Sequence, residues 1–309
     1  MNACVAARET KVSNVDESGL PPALSSGSPA LFKRTIALSL KRWRLDAGLP
    51  QKDAAKRVDR TVQHISNLES GQLPTAADLE LLLGLYGREE RITFMRELLS
   101  AARKAKSWWT GMSGAVPKWF DLFLGLESGA AELASFNNVV VPGLLQTRNY
   151  ALAVIQGDPD LSADEIDKLV EVRMSRKRIL DGDNAAFVRA VIDESVLHRL
   201  RGNREIMREQ FEHLLEMSHQ PRVDLQILPY DAGANPAQDS GTFVVMTFPS
   251  EMEADPGLVY LELLTGGTYL EKPVEIAKYR RGLTRLYAQA ASPEVSRGII
   301  ERRMKEVSR

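Results

Sequence analysis

A short polar segment, residues 60–71 (RTVQHISNLESG), holds the first side chains whose types and spacing could make specific contacts. The pattern predicts about two turns of helix closed by Gly71. Its outward side chains would be Val62, Gln63 and Asn67. An amide donates and accepts hydrogen bonds, and valine offers a small apolar surface. These groups do not carry out catalysis, so the segment indicates recognition of another molecule by contact.

Catalytic and metal-binding patterns do not occur elsewhere in the sequence. It has no glycine-rich nucleotide loop, no Gly-x-Ser-x-Gly and no His-Glu-x-x-His. Glu127 and Glu262 could form a carboxylate pair, but the sequence gives no distance between them. The four histidines lack the spacing of metal ligands with a cysteine: His64, His198, His213 and His219. We therefore expect a protein that is not an enzyme and that uses no metal or cofactor.

Charge is divided unevenly along the chain. The 309 residues carry a formal net charge of −1, yet residues 30–106 contain 15 Lys and Arg against 9 Asp and Glu. Residues 107–309 contain 23 and 29 respectively, so the two parts carry about +6 and −6. A local positive excess of this kind favours a polyanionic partner for the first part.

Compartment signals are few. Cys4 is the only cysteine, so no disulfide can form within one chain. Residues 1–29 are rich in Ser, Pro, Gly and Ala without a signal-peptide core, and we expect a disordered arm there. No apolar run approaches the length of a membrane span. These features predict a cytoplasmic protein that does not contact the membrane.

Apolar spacing divides the remainder into two domains. Residues 30–106 show the three-and-four spacing of amphipathic helices and predict an all-α domain of about five helices. Residues 107–309 predict an α+β domain with a largely antiparallel sheet. Its strands are expected at 133–141, 187–193, 223–228, 242–248 and 258–263. Its helices are expected at 147–156, 163–180, 203–218, 273–290 and 293–307.

Residues 51–70 have the pattern of two short helices that cross closely. Ala55 is the small residue that permits the close crossing, and Thr61 suits the N-cap of the second helix. Asp59 occupies the turn, where a left-handed conformation is preferred and Asp is among the few residues that tolerate it. The buried contacts are expected from Val58, Ile65 and Leu68. Such a pair is the standard device for placing one helix in the major groove.

The stretch LPQKDAAKRVDRTVQHISNLESGQLPT resembles the Cro/repressor-like (XRE-type) helix-turn-helix family, over about residues 33–90. The resemblance implies that residues 62–70 form a recognition helix whose Val62, Gln63 and Asn67 face base edges. Asp59 replaces the favoured glycine, and Arg60 occupies a position that is usually apolar. On this basis the predicted DNA-binding residues are Gln51, Lys52, Arg60, Thr61, Val62, Gln63, His64 and Asn67. The alternative for the same periodicity is a helical bundle with a protein-binding face.

The second domain resembles the C-terminal domain of actinobacterial regulators. The resemblance is carried by WFDLFLGLESGAAELASFNNVVVPGLLQTRNYA (119–151), ILPYDAGANP (227–236), VYLELLTGGTYLE (259–271) and SPEVSRGII (292–300). It implies a transcriptional regulator, often encoded beside a small partner protein in an antitoxin-like arrangement, and it implies no defined reaction. The candidate effector-binding or partner-binding residues are Trp108, Trp109, Glu127 and Glu262.

Three features of this domain have two interpretations each. Trp108 and Trp109 could anchor the domains to each other or contact a partner. A basic run could be a solvated helix face or a contact for DNA or an acidic partner; its members are Arg173, Arg176, Lys177 and Arg178. An apolar stripe could form a dimer interface, which we favour, or cover the domain's own sheet; its members are Ile276, Tyr279, Leu283, Leu286, Tyr287 and Ala290.

Three functions are compatible with these patterns. The favoured one is a sequence-specific regulator that binds double-stranded DNA as a homodimer, because one recognition helix covers too few base pairs to select a genomic site. The second is an antitoxin-like module that sequesters a small protein and autoregulates its operon. The third is an enzyme with a fused DNA-binding domain. For the favoured function, the C-terminal domain would also bind a nearby-encoded small protein or a small-molecule effector.

Overall fold

The computed structural model describes residues 27–112, 116–252 and 255–308. The arm predicted for residues 1–29 therefore lies almost wholly outside the described residues. Of its last residues, Ser28 is buried and its hydroxyl accepts a hydrogen bond from the Leu31 N–H, while Pro29 begins the first helix. The helical part of the chain thus begins with a capped N-terminus.

Helices alone make up the first part of the chain. They are α1 (Pro29–Asp46), α2 (Gln51–Arg57), α3 (Val62–Leu68), α4 (Ala76–Leu85) and α5 (Ile92–Lys104). Within residues 29–104 there is no strand. Thr61 and Thr75 cap α3 and α4 by accepting backbone N–H groups, which sets where each helix begins.

A six-stranded mixed sheet forms the centre of the second part. Its strands are β1 (Glu132–Asn137), β2 (Phe187–Asp193), β3 (Val223–Leu228), β4 (Phe243–Thr247), β5 (Leu258–Leu263) and β6 (Gly266–Leu270), in the order β3-β2-β1-β4-β5-β6. Three neighbouring pairs, from β1–β4 to β5–β6, are antiparallel. The pairs β1–β2 and β2–β3 are parallel. The sheet is mostly antiparallel, with a parallel portion that the sequence analysis did not predict.

Helical crossovers explain the parallel portion. After α6 (Lys118–Glu127) and β1, the chain forms α7 (Arg148–Ile155) and α8 (Ala163–Ser175) before it enters β2. It then forms α9 (Glu194–His198) and α10 (Arg204–Met217) before β3. Parallel neighbours need a long connection that returns the chain to the same end of the sheet, and these helix pairs supply it. The described residues contain twelve α-helices in all, the last two being α11 (Pro273–Gln289) and α12 (Pro293–Val307).

The apolar stripe of α11 covers the chain's own sheet. Ile276, Leu283 and Leu286 are buried and share one apolar cluster with Phe136 and Val245 of the sheet. The interpretation of this stripe as a dimer interface is therefore wrong. A sheet face rich in apolar residues must be covered. Helix α11, which follows β6 in the chain, lies against this face and contacts β1, β3, β4 and β5.

One apolar core is continuous from the helical domain into the sheet domain. It includes Leu31 of α1, Phe123 of α6 and Met246 of β4. Two glycines allow α6 to approach α1 closely: a Cβ on Gly125 would lie 2.9 Å from the Ala30 Cβ, and one on Gly129 would lie 2.1 Å from Leu31 Cδ2. A Cβ at Gly125, or at Gly129 just after α6, would require the facing part of α1 or its side chains to shift.

An arginine clamp also joins the two domains. Arg34 of α1 makes a bidentate ion pair with Asp255, with Nε–Oδ2 and Nη2–Oδ1 distances of 2.7 and 2.9 Å. The same guanidinium donates to the Gly257 carbonyl at 3.1 Å and to the Glu271 carboxylate. A planar guanidinium with several acceptors fixes both the distance and the relative orientation of the groups that it joins.

Within the described ranges, no helix is long and apolar enough to cross a membrane.

Candidate nucleic-acid interface

The α2–α3 turn has the left-handed residue that the sequence predicts. Asp59 has a φ of 52°, and among the described non-glycine residues it is the one with a positive φ. Ala54 and Ala55 of α2 are buried at 0% and 3% exposure, which lets α3 cross closely. The turn is held by the Arg60 N–H, which donates to the Ala55 carbonyl at 3.0 Å. These features confirm the predicted roles of Ala55 and Asp59.

Asp59→Gly is expected to raise the melting temperature or leave it unchanged. The Asp59 side chain is exposed, and a non-glycine residue in the left-handed region costs roughly 1 kcal/mol. Asp53→Gly is the matched control: Asp53 is exposed in the first turn of α2, where glycine is the poorer helix former and the negative charge is favourable, so the change should lower the melting temperature. Thermal unfolding of both variants tests this, and a clear drop for Asp59→Gly would show that its side chain has a structural role.

Helix α3 is anchored on one face and exposed on the other. The Thr61 hydroxyl accepts the His64 N–H at 3.1 Å, while Ile65 and Leu68 are buried at 1% exposure each. Val62, Gln63 and Asn67 lie on the exposed face, with Val62 48% exposed. The sequence prediction of an outward Val62–Gln63–Asn67 surface therefore agrees with the structure.

The two exposed amides of α3 are linked to each other. Gln63 Nε2 donates to Asn67 Oδ1 at 2.8 Å. This bond does not use the Gln63 Oε1 acceptor or the Asn67 Nδ2 donor. An acceptor and a donor side by side match the N6 and N7 groups of adenine in the major groove.

A buried ion pair lies under the start of α2 and the end of α3. Arg44 of α1 forms a bidentate pair with Glu69, at 2.5 and 2.9 Å, and donates to the Leu49 carbonyl at 2.7 Å. Gln51 Nε2 donates to the same Glu69 carboxylate at 2.9 Å. The sequence analysis predicted Gln51 to contact DNA; in the structure its amide nitrogen also links the start of α2 to Glu69.

Arg44 and Glu69 form a buried ion pair beneath the helix pair that sequence reasoning missed. Their side chains are only 8% and 4% exposed, although both residue types are normally found at the surface. The available signal was weak: Arg44 sits directly after the buried Trp43, and Glu69 lies in the closing turn of α3. Charged residues at such positions are predicted to be exposed unless a partner is already known.

His64 lies against α4 and does not project from α3. Its Nε2 is 3.5 Å from Asp78 Oδ2, and Asp78 is itself buried. The His64 side chain is 23% exposed, so a ring edge is available at the surface. Its position against α4 directs most of the ring away from the exposed face of α3.

Exposed cations surround the α2–α3 pair. Lys52, Lys56, Arg57 and Arg60 are all exposed on α2 and its turn. None of the four takes part in an ion pair found among the described residues. An exposed cationic group beside a protruding helix is the arrangement that phosphate backbones attract.

The C-terminal candidates prove to be mostly internal contacts. Trp109 is 2% exposed, and its indole N–H donates to the Asp121 carboxylate of α6. Trp108 is half-buried, with the Arg178 guanidinium 3.6 Å from its ring centroid. These contacts support the anchor interpretation of the tryptophan pair, since Trp109 offers no surface to a partner.

The two candidate glutamates have different surroundings. Glu127 is 3% exposed and pairs with Arg176 through two hydrogen bonds of 2.7 Å each. Glu262 lies exposed near the end of β5. The basic run to which Arg176 belongs was interpreted as either a solvated face or an external contact; for Arg176, which is buried, both interpretations are wrong.

Comparison with known protein families assigns both parts of the chain. Residues 36–91, which contain α2, α3 and α4, match a family described as a helix-turn-helix domain. Residues 120–302, which contain all six strands, match the domain of unknown function DUF5753. The chain belongs to the DUF5753 family. No curated protein and no solved structure matches it.

The helix-turn-helix match and the geometry of α2 and α3 give the general function. The chain is a DNA-binding transcriptional regulator with a DUF5753 domain at its C-terminal side. The DUF5753 domain contributes Glu127 and Arg176 to the interior, and the clamp residues Asp255 and Glu271 that hold Arg34 of α1. The family description assigns this domain no activity.

Proposed function

We propose that this DUF5753 protein is a sequence-specific, XRE-type regulator that binds double-stranded DNA as a homodimer and does not act as an enzyme. Helix α3 would lie in the major groove, and the DUF5753 domain would receive a signal. The observation that carries the proposal is the linked pair Gln63–Asn67, exposed on a helix whose other face is buried. The proposed site of action is the cytoplasm, because the partner is DNA.

The dimensions of α3 support this placement. Seven residues at 1.5 Å each give a helix of about 10 Å, which fits a major groove about 12 Å wide. Val62 and Gln63 stand in its first turn, where recognition helices typically contact bases. Lys52 and Arg60 flank that turn at positions suited to the phosphate backbone.

Gln63→Ala and Asn67→Ala are expected to reduce base discrimination more than general affinity. Each should weaken binding to the selected site by about 1–3 kcal/mol and affect random duplex DNA much less. Arg60→Ala is the matched contrast, because a phosphate contact should weaken binding to both DNAs by similar amounts. Titration of each variant with both DNAs at one salt concentration checks this. Equal losses for Gln63→Ala on the two DNAs would contradict the assignment.

Dimerisation would require a surface other than the α11 stripe. The most exposed large apolar residues near the β5–β6 turn are Leu263 and Leu264, at 56% and 102% exposure. Apolar groups exposed together in this way favour association with another protein surface.

We expect the full chain to sediment as a dimer at micromolar concentration, and Leu264→Lys to shift it to monomer. A buried lysine would leave an unpaired charge in the interface. Leu45→Lys is the control, because Leu45 is 56% exposed in the helical domain and should leave the dimer intact. A monomeric wild-type chain would contradict the homodimer and favour the alternative function, an antitoxin-like module that uses Leu263 and Leu264 to hold a small protein.

A further inference from the structure

A pocket in the DUF5753 domain has the composition of a ligand site. It has a volume of about 320 Å³ and lies at the end of β1, under the loop that includes residues 139–143. Sheet residues such as Asn137 and Tyr260 line it together with Phe120 and Phe123 of α6. Small-molecule pockets of this size are typically apolar with a few fixed polar groups.

Two arginines supply the charge in this pocket. Arg176, in the 3₁₀ turn after α8, makes the bidentate pair with Glu127, and its guanidinium lies 5.2 Å from the Phe123 ring centroid. Its charge is therefore matched by a carboxylate and a ring face. Arg176 is therefore a structural residue of the pocket wall whose charge is already paired.

Arg173, one helical turn earlier, has no such partner. Its Nη1 donates to the neutral Gln146 Oε1 at 2.8 Å, and in the described part of the chain no carboxylate lies within ion-pair distance of it. Burial and the neighbouring charge of Arg176 lower the pKa of Arg173 to about 10, so it is still cationic at neutral pH. Arg173 is partly buried, and Glu262 and Glu127 attract it only from beyond ion-pair distance, so an anion bound directly to its guanidinium would stabilise it.

The backbone is shaped to admit both arginines. A Cβ on Gly143 would lie 3.0 Å from Arg176 Nη1 and 3.3 Å from Arg173 Cδ. The glycine of the Pro142–Gly143 junction therefore provides space for the two side chains. Any larger residue at position 143 would require one of the two arginine side chains to shift by a few tenths of an ångström.

We propose that this pocket binds a small, mainly apolar molecule that carries one carboxylate, with Arg173 as its counter-charge. The guanidinium can hold a carboxylate through two parallel N–H···O bonds. The aromatic rings of Phe120 and Phe123 would contact the apolar part. A regulatory role for this ligand rests on the proposed function, whereas binding of the ligand can be measured without DNA.

The charge of the pocket selects a monoanion. Glu127 already neutralises Arg176, and the carboxylates of Glu262 and Glu127, which lie beyond ion-pair distance of Arg173, offset its charge only in part. Glu262 also lines the pocket, and a second negative charge on the ligand would be repelled by it and by Glu127. A phosphate dianion is therefore disfavoured relative to a carboxylate.

Helix α6 connects the pocket to the DNA-binding domain. Phe120, Phe123 and Glu127 of α6 contact the arginine wall. The same helix contacts α1 through Gly125, whose carbonyl accepts the Ser28 hydroxyl at 2.5 Å. If a bound ligand moved α6, the direct contacts between α6 and α1 would therefore move α1 as well.

Thermal unfolding and calorimetric titration of the full chain test the proposal. The probes are phenylacetate and hexanoate, with phenylacetamide as the uncharged match and phenyl phosphate as the dianion. We expect the carboxylates at millimolar concentration to raise the melting temperature and the amide and phosphate to have little effect. Absence of binding by both carboxylates, or equal binding of the amide, would overturn the proposal.

Variants locate the bound carboxylate. Arg173→Met should weaken carboxylate binding by about tenfold or more, and Arg302→Met on the exposed face of α12 should not change it. Arg173→Lys keeps the charge and size and loses the bidentate geometry, so it tests the same point if Arg173→Met does not fold. Undiminished binding by a folded Arg173 variant would overturn the assignment. DNA affinity of the wild-type chain, measured separately without carboxylate, tests the proposed function independently.

Discussion

Replacing Glu69 by methionine is expected to lower the free energy of unfolding by about 3–5 kcal/mol, because it leaves a buried arginine without its counter-charge. The Arg44 and Glu69 side chains are 8% and 4% exposed and share a bidentate pair. The variant also removes the acceptor of Gln51 Nε2. The start of α2 would then lose its link to the end of α3, and DNA affinity should fall with stability.

Urea unfolding of Glu69→Met and of the double variant Arg44→Met with Glu69→Met measures this effect. The double variant should recover much of the lost stability, because replacing both charges by apolar groups removes the unpaired cation. Glu212→Met is the surface control: its pair with Arg208 is about half exposed, at 50% and 49%, and should contribute no more than about 1 kcal/mol. A Glu69→Met loss as small as the Glu212→Met loss would show that the buried pair is not structural.

Replacing Glu127 by methionine is expected to lower the free energy of unfolding by a similar amount, about 3–5 kcal/mol. The Arg176 and Glu127 side chains are 8% and 4% exposed. Without the carboxylate, the buried Arg176 and the partly buried Arg173 would be two cations in one pocket wall. Their mutual repulsion adds to the cost of burying each one.

The double variant Arg176→Met with Glu127→Met separates charge from packing. It should be much more stable than Glu127→Met alone, since only the neutralised pair is removed. Chemical denaturation of the full chain gives both values. If the double variant were less stable than Glu127→Met, the contribution of Arg176 would lie in its contacts with Phe120 and Phe123 and not in the ion pair.

Local rules predicted the helix-turn-helix well. Thr61 caps α3 because its hydroxyl can accept a nearby N–H, and Asp59 adopts the left-handed turn because it tolerates that conformation. Ser162 and Ser292 cap their helices for the same reason. Such features depend on a few neighbouring residues, so a single sequence contains the information needed to predict them.

Long-range features could not be predicted in the same way. The parallel pairing of β1, β2 and β3 depends on where their connecting helices pack, although helices between predicted strands were themselves an available signal. β6 was missed because Gly266 and Gly267 do not resemble a strand, yet Gly267 is needed under the Tyr260 ring. The same limit applies to charge, since nothing in the neighbouring sequence marks Arg176 as a buried residue.

Selection from a pool of randomised duplex DNA by the full chain tests the central claim most directly. The account predicts enrichment of one sequence with two-fold-related half-sites, spaced by about one helical turn or a multiple of it. Gln63→Ala, carried through the same selection, should relax the preference at one position of each half-site. A pool that shows no enrichment over its input after repeated rounds would contradict sequence-specific recognition by α3.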